Sequence, residues 1–346
     1  MRNLSIPILG YIALCVLVVA GAQTDVLNAY IQIILMFVGI NIILSASLNL
    51  VNGYMGEFSV GHAGFMAVGA YVTSILNVMF FTNSSVFGPP LAAPSSALYL
   101  FPVTLVAGGV AAALAGLLVA VPSFRTRGDY LAIVTLAVNY IVKSSIENIQ
   151  SIGGARGFMG MGNVINSMKE VVDLPWTLIW VLIATGATIW ILQRFVNSTY
   201  GKGIVAVRDD EIAAEIMSVN TQKMKVVAFM LSSGLAGVAG GLFAHVLGYI
   251  NPGTFTIMKS TEVLVMVYLG GMGSLSGSVL SAILMTLALE AFRPLQVAKW
   301  VVVPLLLILL MIFRPEGIMG QRELTDVFPG LRRWLRLKDR QVELGD

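Results

Sequence analysis

The stretch Asn49–Tyr71 reads NLVNGYMGEFSVGHAGFMAVGAY and carries five glycines where one apolar segment ends and the next begins. Glycines let backbones approach closely or adopt irregular turns, so we expect either broken helices or tight helix packing here. Glu57 is costly beside an apolar segment unless its carboxylate is solvated or paired. We therefore expect it either at a membrane interface or in a functional role. His62 is expected to be a hydrogen-bonded packing residue rather than a ligand.

The rest of the chain is as apolar as this stretch. Its 346 residues are 57% hydrophobic and 11% charged, whereas soluble domains carry about 25% charged residues. This composition predicts an all-α polytopic membrane protein with about ten transmembrane helices, some of them broken or re-entrant. Cys15 is the only cysteine, which excludes an intrachain disulfide.

Ten apolar segments have about the length that crosses a membrane. They are residues 5–22, 28–51, 62–82, 99–122, 129–149, 176–196, 226–249, 256–271, 275–292 and 297–313. Only Gly270–Ser274 interrupts the region 256–292, which forms either two spans or a re-entrant loop buried in the bundle. The first segment could be a signal peptide, but its length favours a span.

Positive charges fall unequally on the two sides of this arrangement. With the N-terminus inside, ten spans place the C-terminus and most of the 21 Lys and Arg residues in the cytoplasm. We therefore expect a membrane domain over residues 1–313 and a charged, amphipathic cytoplasmic tail over residues 314–346.

A polar segment between two apolar ones, residues 201–225, reads GKGIVAVRDDEIAAEIMSVNTQKMK. We call it the island. Its apolar residues recur near helical spacing with charged residues between them, which predicts a short amphipathic helix. The charge distribution places the island in the cytoplasm, where such a helix must contact another surface.

A weak internal repeat links two glycine-rich segments. Gly53-x-x-Gly56-x-x-Ser59 recurs as Gly270-x-x-Gly273-x-x-Ser276, and duplicated halves with broken helices are common in transporters. Chance is the alternative in a chain with 35 glycines. These segments supply the candidate residues for a translocation path: Gly53, Gly56, Glu57, Ser59, Gly61, Gly270, Gly273 and Ser276.

Sites for catalysis and cofactors are not visible in the sequence. Gly201-Lys202 is followed by Gly203 and lacks the Ser or Thr and the upstream glycine of a phosphate-binding loop. Two histidines and one cysteine form no metal-ligand pattern, so we expect no metal and no bound cofactor. Basic residues are not interleaved with stacking aromatics, which disfavours nucleic acid. We therefore expect a protein that is not an enzyme, and any ATP that drives it is bound by partner chains.

Six segments in order resemble the permease family of bacterial ABC importers for branched-chain amino acids, specifically the Liv M-type subunit. They begin at Leu48 (LNLVNGYMGEFSVGHAGFMAVGAY), Thr126 (TRGDYLAIVTLAV), Ala206 (AVRDDEIAAEIMSVN), Lys225 (KVVAFMLSSGLAGVAGGLFA), Leu269 (LGGMGS) and Phe313 (FRPEGIMG). The resemblance covers most of the chain from about residue 40 to residue 320.

This resemblance implies a multi-pass subunit of the bacterial inner membrane that imports branched-chain or related hydrophobic amino acids. It implies a second permease subunit, usually a different chain, two cytoplasmic ATPase subunits and a periplasmic binding protein, all around the lipid bilayer. The family's ATPase-coupling segment falls on Ala206–Asn220, within the island. The residues implied for coupling are Ala206, Arg208, Asp209, Glu211, Ala213, Ala214 and Met217. Ser218 departs from the pattern, because the family usually has glycine at that turn.

Three other functions stay open at this stage. Permeases for urea and short amides share much of the pattern. A secondary transporter coupled to protons or sodium would use Glu57, Glu262 or Glu290 as intramembrane carboxylates, although pairing of Glu290 with Arg293 one turn later is the simpler expectation. A membrane scaffold that transports nothing is the third.

Overall fold

The computed structural model describes residues 5–293 except residue 25 and the ranges 84–86 and 125–129. Beyond residue 293 it describes 301–302, 305, 308–309, 312–313, 316–320 and 322–323. The predicted span 297–313 and the predicted tail 314–346 therefore lie largely outside the described residues.

Nearly all of the regular structure in these residues is helical. The α-helices are α1 (Ser5–Gln23), α2 (Ala29–Asn49), α3 (His62–Phe81), α4 (Ala97–Ser123), α5 (Tyr130–Asn148), α6 (Met161–Val171), α7 (Trp176–Val196), α8 (Thr199–Asp209), α9 (Glu211–Ile216), α10 (Thr221–Leu247), α11 (Ile257–Gly270) and α12 (Leu275–Ala291). A π-helical turn, Leu50–Tyr54, continues α2, and 3-10 turns lie at Pro94–Ser96, Gln150–Ile152, Gly154–Arg156 and Pro252–Thr254. Two short strands, β1 (Phe158–Met159) and β2 (Tyr249–Ile250), pair antiparallel.

These helices confirm the predicted all-α polytopic membrane fold. Every predicted apolar segment up to residue 292 coincides with a described helix. Five helices have the length and composition to cross a membrane: Ala29–Tyr54, His62–Phe81, Pro94–Ser123, Trp176–Val196 and Thr221–Leu247. The count of ten is not confirmed.

The helices α11 and α12 are shorter than the other long helices. The 14 residues of α11 rise about 21 Å, which is less than the roughly 30 Å of a bilayer's hydrocarbon core. The pair folds back on itself at residues 271–274, and Gly270 lies against the backbone of Gly277.

Small residues make the centre of the bundle, where α3, α4 and α10 meet. A side chain at Gly69 would overlap the backbone of Gly237 on α10, and one at Gly240 would overlap the Met66 carbonyl on α3. A side chain at Gly237 would in turn meet Ala112 on α4. Because lipid tails are as apolar as side chains, helices in a membrane associate through such close van der Waals packing.

The segments between helices collect at two opposite ends of the bundle. At the strand end, β1 and β2 pair with Phe158 opposite Ile250. At the island end, the Arg208 guanidinium donates a hydrogen bond of 3.2 Å to the Gly53 carbonyl. Successive long helices therefore alternate in direction, as a polytopic bundle requires.

The central packing yields a stability prediction. Gly240→Ala should destabilise the protein by about 1–3 kcal/mol or more, because the added methyl group overlaps the Met66 backbone and forces α3 and α10 apart. Gly162→Ala is the matched control, since a methyl group at Gly162 has no atom within 4 Å among the described residues. Thermal unfolding in detergent measures both, and equal unfolding temperatures would contradict the packing.

Candidate functional site

The helix that begins as α2 is interrupted at the island end. After the π-helical turn, residues 55–61 are non-helical, and we call them the break. Asn52 holds this segment in place: its side-chain oxygen accepts from the Ser59 backbone N–H at 3.2 Å, and its amide lies 3.4 Å from the Ser59 carbonyl. The sequence predicted broken helices here, and α2 and α3 are separated in this way.

The helix α3 begins well inside the bundle. His62, its first residue, is buried and lies 2.8 Å from the Ser47 hydroxyl, about 10 Å along α2 from the end of the π-helical turn. The Ala63 N–H donates to the Ser260 hydroxyl of α11, and the Val60 N–H donates to the Thr135 hydroxyl of α5. Neighbouring helices thus supply hydrogen-bond partners for backbone groups at the start of α3. His62 is a hydrogen-bonded packing residue, as predicted.

One buried amide joins α2 to the turn between α11 and α12. Asn49 donates to the Ser274 carbonyl at 2.8 Å and to the Ser278 hydroxyl at 2.7 Å. Its side-chain oxygen accepts from the Gly273 N–H at 2.9 Å. Gly271 and Gly273 have positive φ, at 110° and 87°, which side chains disfavour, so this tight turn requires glycine.

The two halves of the weak sequence repeat pack against each other. A side chain at Gly53 would overlap the Gly273 backbone nitrogen. Ser276, at the start of α12, donates from its hydroxyl to Glu323 at 2.6 Å, and its N–H donates to the same carboxylate at 3.1 Å. An acidic group at a helix N-terminus is favourable, and Glu323 occupies that position on α12. Sequence reasoning missed Glu323, because it lies 47 residues away with no shared periodicity.

The predicted path residues thus gather at the island end, and their role in a path stays a prediction. Gly53, Ser59, Gly61 and Gly270 are buried, Glu57, Gly273 and Ser276 are partly buried, and Gly56 is exposed.

The island folds as two helices and the start of a third. Ser198 caps α8 by accepting from the Gly201 N–H, and Asp210 caps α9 by accepting from the Ala213 N–H at 2.9 Å. Asp210 also ends α8, which explains why the predicted single amphipathic helix is divided. Ser218 follows α9 with φ of 63°, the left-handed conformation that glycine adopts more easily.

Arg208 points back into the membrane domain. Its guanidinium donates to the Gly53 carbonyl and also contacts Asp209, and its aliphatic part lies over Gly56. A side chain at Gly56 would overlap it. Arg208 therefore links α8 to the break, whichever other surface the island contacts.

Lys225, at the start of α10, makes a second link. Its ammonium group lies 2.7 Å from the Glu57 carboxylate in the break and 2.9 Å from the Glu211 carboxylate in α9. The lysine side chain is only 11% exposed, which limits solvent screening of this three-charge cluster. Glu57 is therefore paired, and this pairing offsets the cost of a carboxylate beside an apolar segment.

The outer face of α9 is apolar, and no described residue covers it. Ile212, Ile216 and Met217 are 68%, 78% and 78% exposed. Of the residues expected to couple, Ala206, Asp209, Glu211, Ala213 and Met217 are exposed, Arg208 is partly buried and Ala214 is buried. Ile212 and Ile216 were absent from the predicted set, although their spacing from Met217 could have indicated them.

A cleft of about 510 Å³ opens at the strand end between α2, α10, α11 and α12. Lys259 and Glu262 line it and form an ion pair of 2.8 Å, while Glu290 and Arg293 form another of 3.1 Å, as predicted for the latter pair. The described residues contain no group of three His, Cys, Asp or Glu side chains that could hold a metal ion.

Comparison with known proteins places this architecture in a family. The family model for the permease component of branched-chain amino acid transport systems matches residues 30–313. The high-affinity branched-chain amino acid transport system permease protein LivM of Escherichia coli is 31% identical over 304 residues, 81% of this chain and 68% of that protein.

Two further relatives extend the similarity. The probable branched-chain amino acid transport permease protein LivM of Methanocaldococcus jannaschii is 21% identical and covers 84% of this chain and 94% of its own length. The permease protein LivH of Escherichia coli is 30% identical over 154 residues, 43% of this chain and 49% of that protein. No solved structure matches the chain significantly. The chain is a polytopic membrane protein that belongs to the permease-component family of branched-chain amino acid transport systems.

Proposed function

We propose that this chain is an inner-membrane permease subunit of an ATP-driven importer for branched-chain or related hydrophobic amino acids. The observation that carries the proposal is the island: an exposed apolar helix face joined by charged side chains to the break in the membrane domain. A partner protein that binds such a helix can displace it, and the charged contacts transmit the displacement to the membrane domain. The names of the LivM and LivH relatives support the substrate class and a second, different permease subunit as partner.

Two ATPase subunits then bind on the island side, and they hold the ATP, so this chain needs no cofactor of its own. The face formed by Ile212, Ala213, Ile216 and Met217 inserts into a groove on one ATPase, as amphipathic helices do in other complexes. The island lies in the cytoplasm with both chain termini, and a periplasmic binding protein delivers the amino acid at the strand end.

Force would reach the membrane domain through two contacts. Closure of the ATPases displaces α9, and Lys225 transmits the displacement to Glu57 while Arg208 transmits it to Gly53. Because Gly53 touches Gly273, the turn between α11 and α12 moves with the break. Domain rocking of this kind underlies alternating access.

The carboxylates that an ion-coupled secondary transporter would use are all held beside basic residues. That function would use Glu57, Glu262 or Glu290 as a carboxylate that gains and loses a cation or proton. Each of the three already forms an ion pair, with Lys225, Lys259 and Arg293 respectively.

The docking face is tested by charge insertion. Ile216→Asp should weaken ATPase binding by about 2 kcal/mol or more, roughly 30-fold, because it places a carboxylate in an apolar contact. Val171→Asp makes the same kind of change on an exposed residue of α6 at the strand end. Co-purification of the ATPase measures both variants, and retention of the ATPase by Ile216→Asp would refute the docking assignment.

The transmission route is tested by removing the cation that Glu57 and Glu211 share. Lys225→Met should leave ATPase binding intact and lower ATP-dependent uptake at least about 10-fold, because Glu57 and Glu211 lose their shared cation. Lys223→Met is the control, since Lys223 is exposed on the same helix. Uptake in reconstituted vesicles containing the complete complex provides the measurement. Full uptake by Lys225→Met would exclude this route.

A further inference from the structure

The cleft at the strand end has charged, polar and apolar lining. Its lining includes the charged pair Lys259 and Glu262 and the apolar side chains Phe37, Phe243 and Leu289. Polar residues also line it: Asn41, Thr254, Thr256 and Thr286. Small-molecule sites combine apolar walls with polar groups that fix the orientation of the ligand, and this cleft offers both. The volume of about 510 Å³ lies within the range of small-molecule pockets.

The Lys259–Glu262 pair is shielded from solvent. The side chains are 16% and 14% exposed, and their charged atoms lie 2.8 Å apart within the first two turns of α11. A shielded ion pair is weak evidence for a stabilising role, because its desolvation offsets its attraction. At the wall of a cleft, such a pair is a candidate contact for a ligand that carries charge.

Lys259 and Glu262 can each bind a further charged group besides each other. Among the described residues, the contact between Lys259 and Glu262 uses one of three ammonium N–H groups and one of two carboxylate oxygens. A free α-amino acid presents a carboxylate and an ammonium group on adjacent carbons. Its carboxylate can bind Lys259 while its ammonium group binds Glu262, which closes a ring of alternating charges.

We propose that this cleft is a binding site for a zwitterionic α-amino acid, held by Lys259 and Glu262 at its main-chain groups and by Phe37, Phe243 and Leu289 at its apolar side chain. The site rests on the proposed importer function, which it deepens by naming the residues that recognise the substrate. The second ion pair, Glu290 with Arg293, lies at the rim, where the arginine side chain is 68% exposed and its attraction is screened.

Equilibrium binding of radiolabelled leucine to the purified permease–ATPase complex, without binding protein, tests this site. Glu262→Gln and Lys259→Met should each weaken leucine binding about 10- to 100-fold, the loss expected for a hydrogen bond to a charged group. Glu147→Gln is the matched control, because Lys143 and Glu147 form an ion pair on α5 that does not line the cleft. Binding within about threefold of the native value in both cleft variants would overturn the site.

Competition by substrate analogues separates recognition from folding. 4-Methyl-2-oxopentanoate lacks the ammonium group, so Glu262→Gln should weaken its binding far less than that of leucine. Leucinamide lacks the carboxylate, so Lys259→Met should spare it in the same way. If native protein binds all three compounds equally, the proposed site is wrong even where a variant fails to fold.

A separate measurement, ATP-dependent uptake, tests the importer function independently of the cleft. ATP-dependent leucine uptake by the native complex supports it whatever the cleft variants do. Absence of that uptake, with leucine still bound through Lys259 and Glu262, would overturn the importer and leave the site standing.

Discussion

The structure depends on one constraint: a helix that breaks inside a bundle must find partners for its freed backbone groups. Ser59 and Ala63 are buried, so side chains of the surrounding helices supply these partners. Asn52 bonds the backbone of Ser59, while Thr135 and Ser260 accept from the residues on either side of the start of α3. These bonds fix the depth at which α3 begins and the helices that must surround it.

The same requirement connects the break to the rest of the island end. Asn49 meets the backbone of the turn between α11 and α12, and Glu323 meets the first N–H groups of α12. Arg208 meets the Gly53 carbonyl from α8. The island, the break and the turn between α11 and α12 are distant in sequence but form one connected cluster. A displacement of the island therefore also displaces the break.

Local patterns predicted much of this arrangement. Apolar length gave the helices up to residue 292, and glycine density located the break. Spacing of one helical turn predicted the Glu290–Arg293 pair. The contacts of the turn between α11 and α12 could not be predicted, because Asn49 and Ser274, or Ser276 and Glu323, are far apart in sequence and share no periodicity. The contact of Arg208 with Gly53 could not be predicted either, because a charged residue on an amphipathic helix is expected to face solvent.

A displacement that ATP binding by the partner ATPases passes through Lys225 to the turn between α11 and α12 should change the cleft at the strand end, because both helices line it. Spin labels at Thr254 and Arg293, both exposed beside the cleft, report the width of its mouth in a Cys15→Ser background. Pulsed electron paramagnetic resonance on the complete complex should show a distance that shifts with ATP in the native protein and stays fixed in Lys225→Met. A distance that is unchanged by ATP during active transport, or that shifts equally in Lys225→Met, would contradict the account.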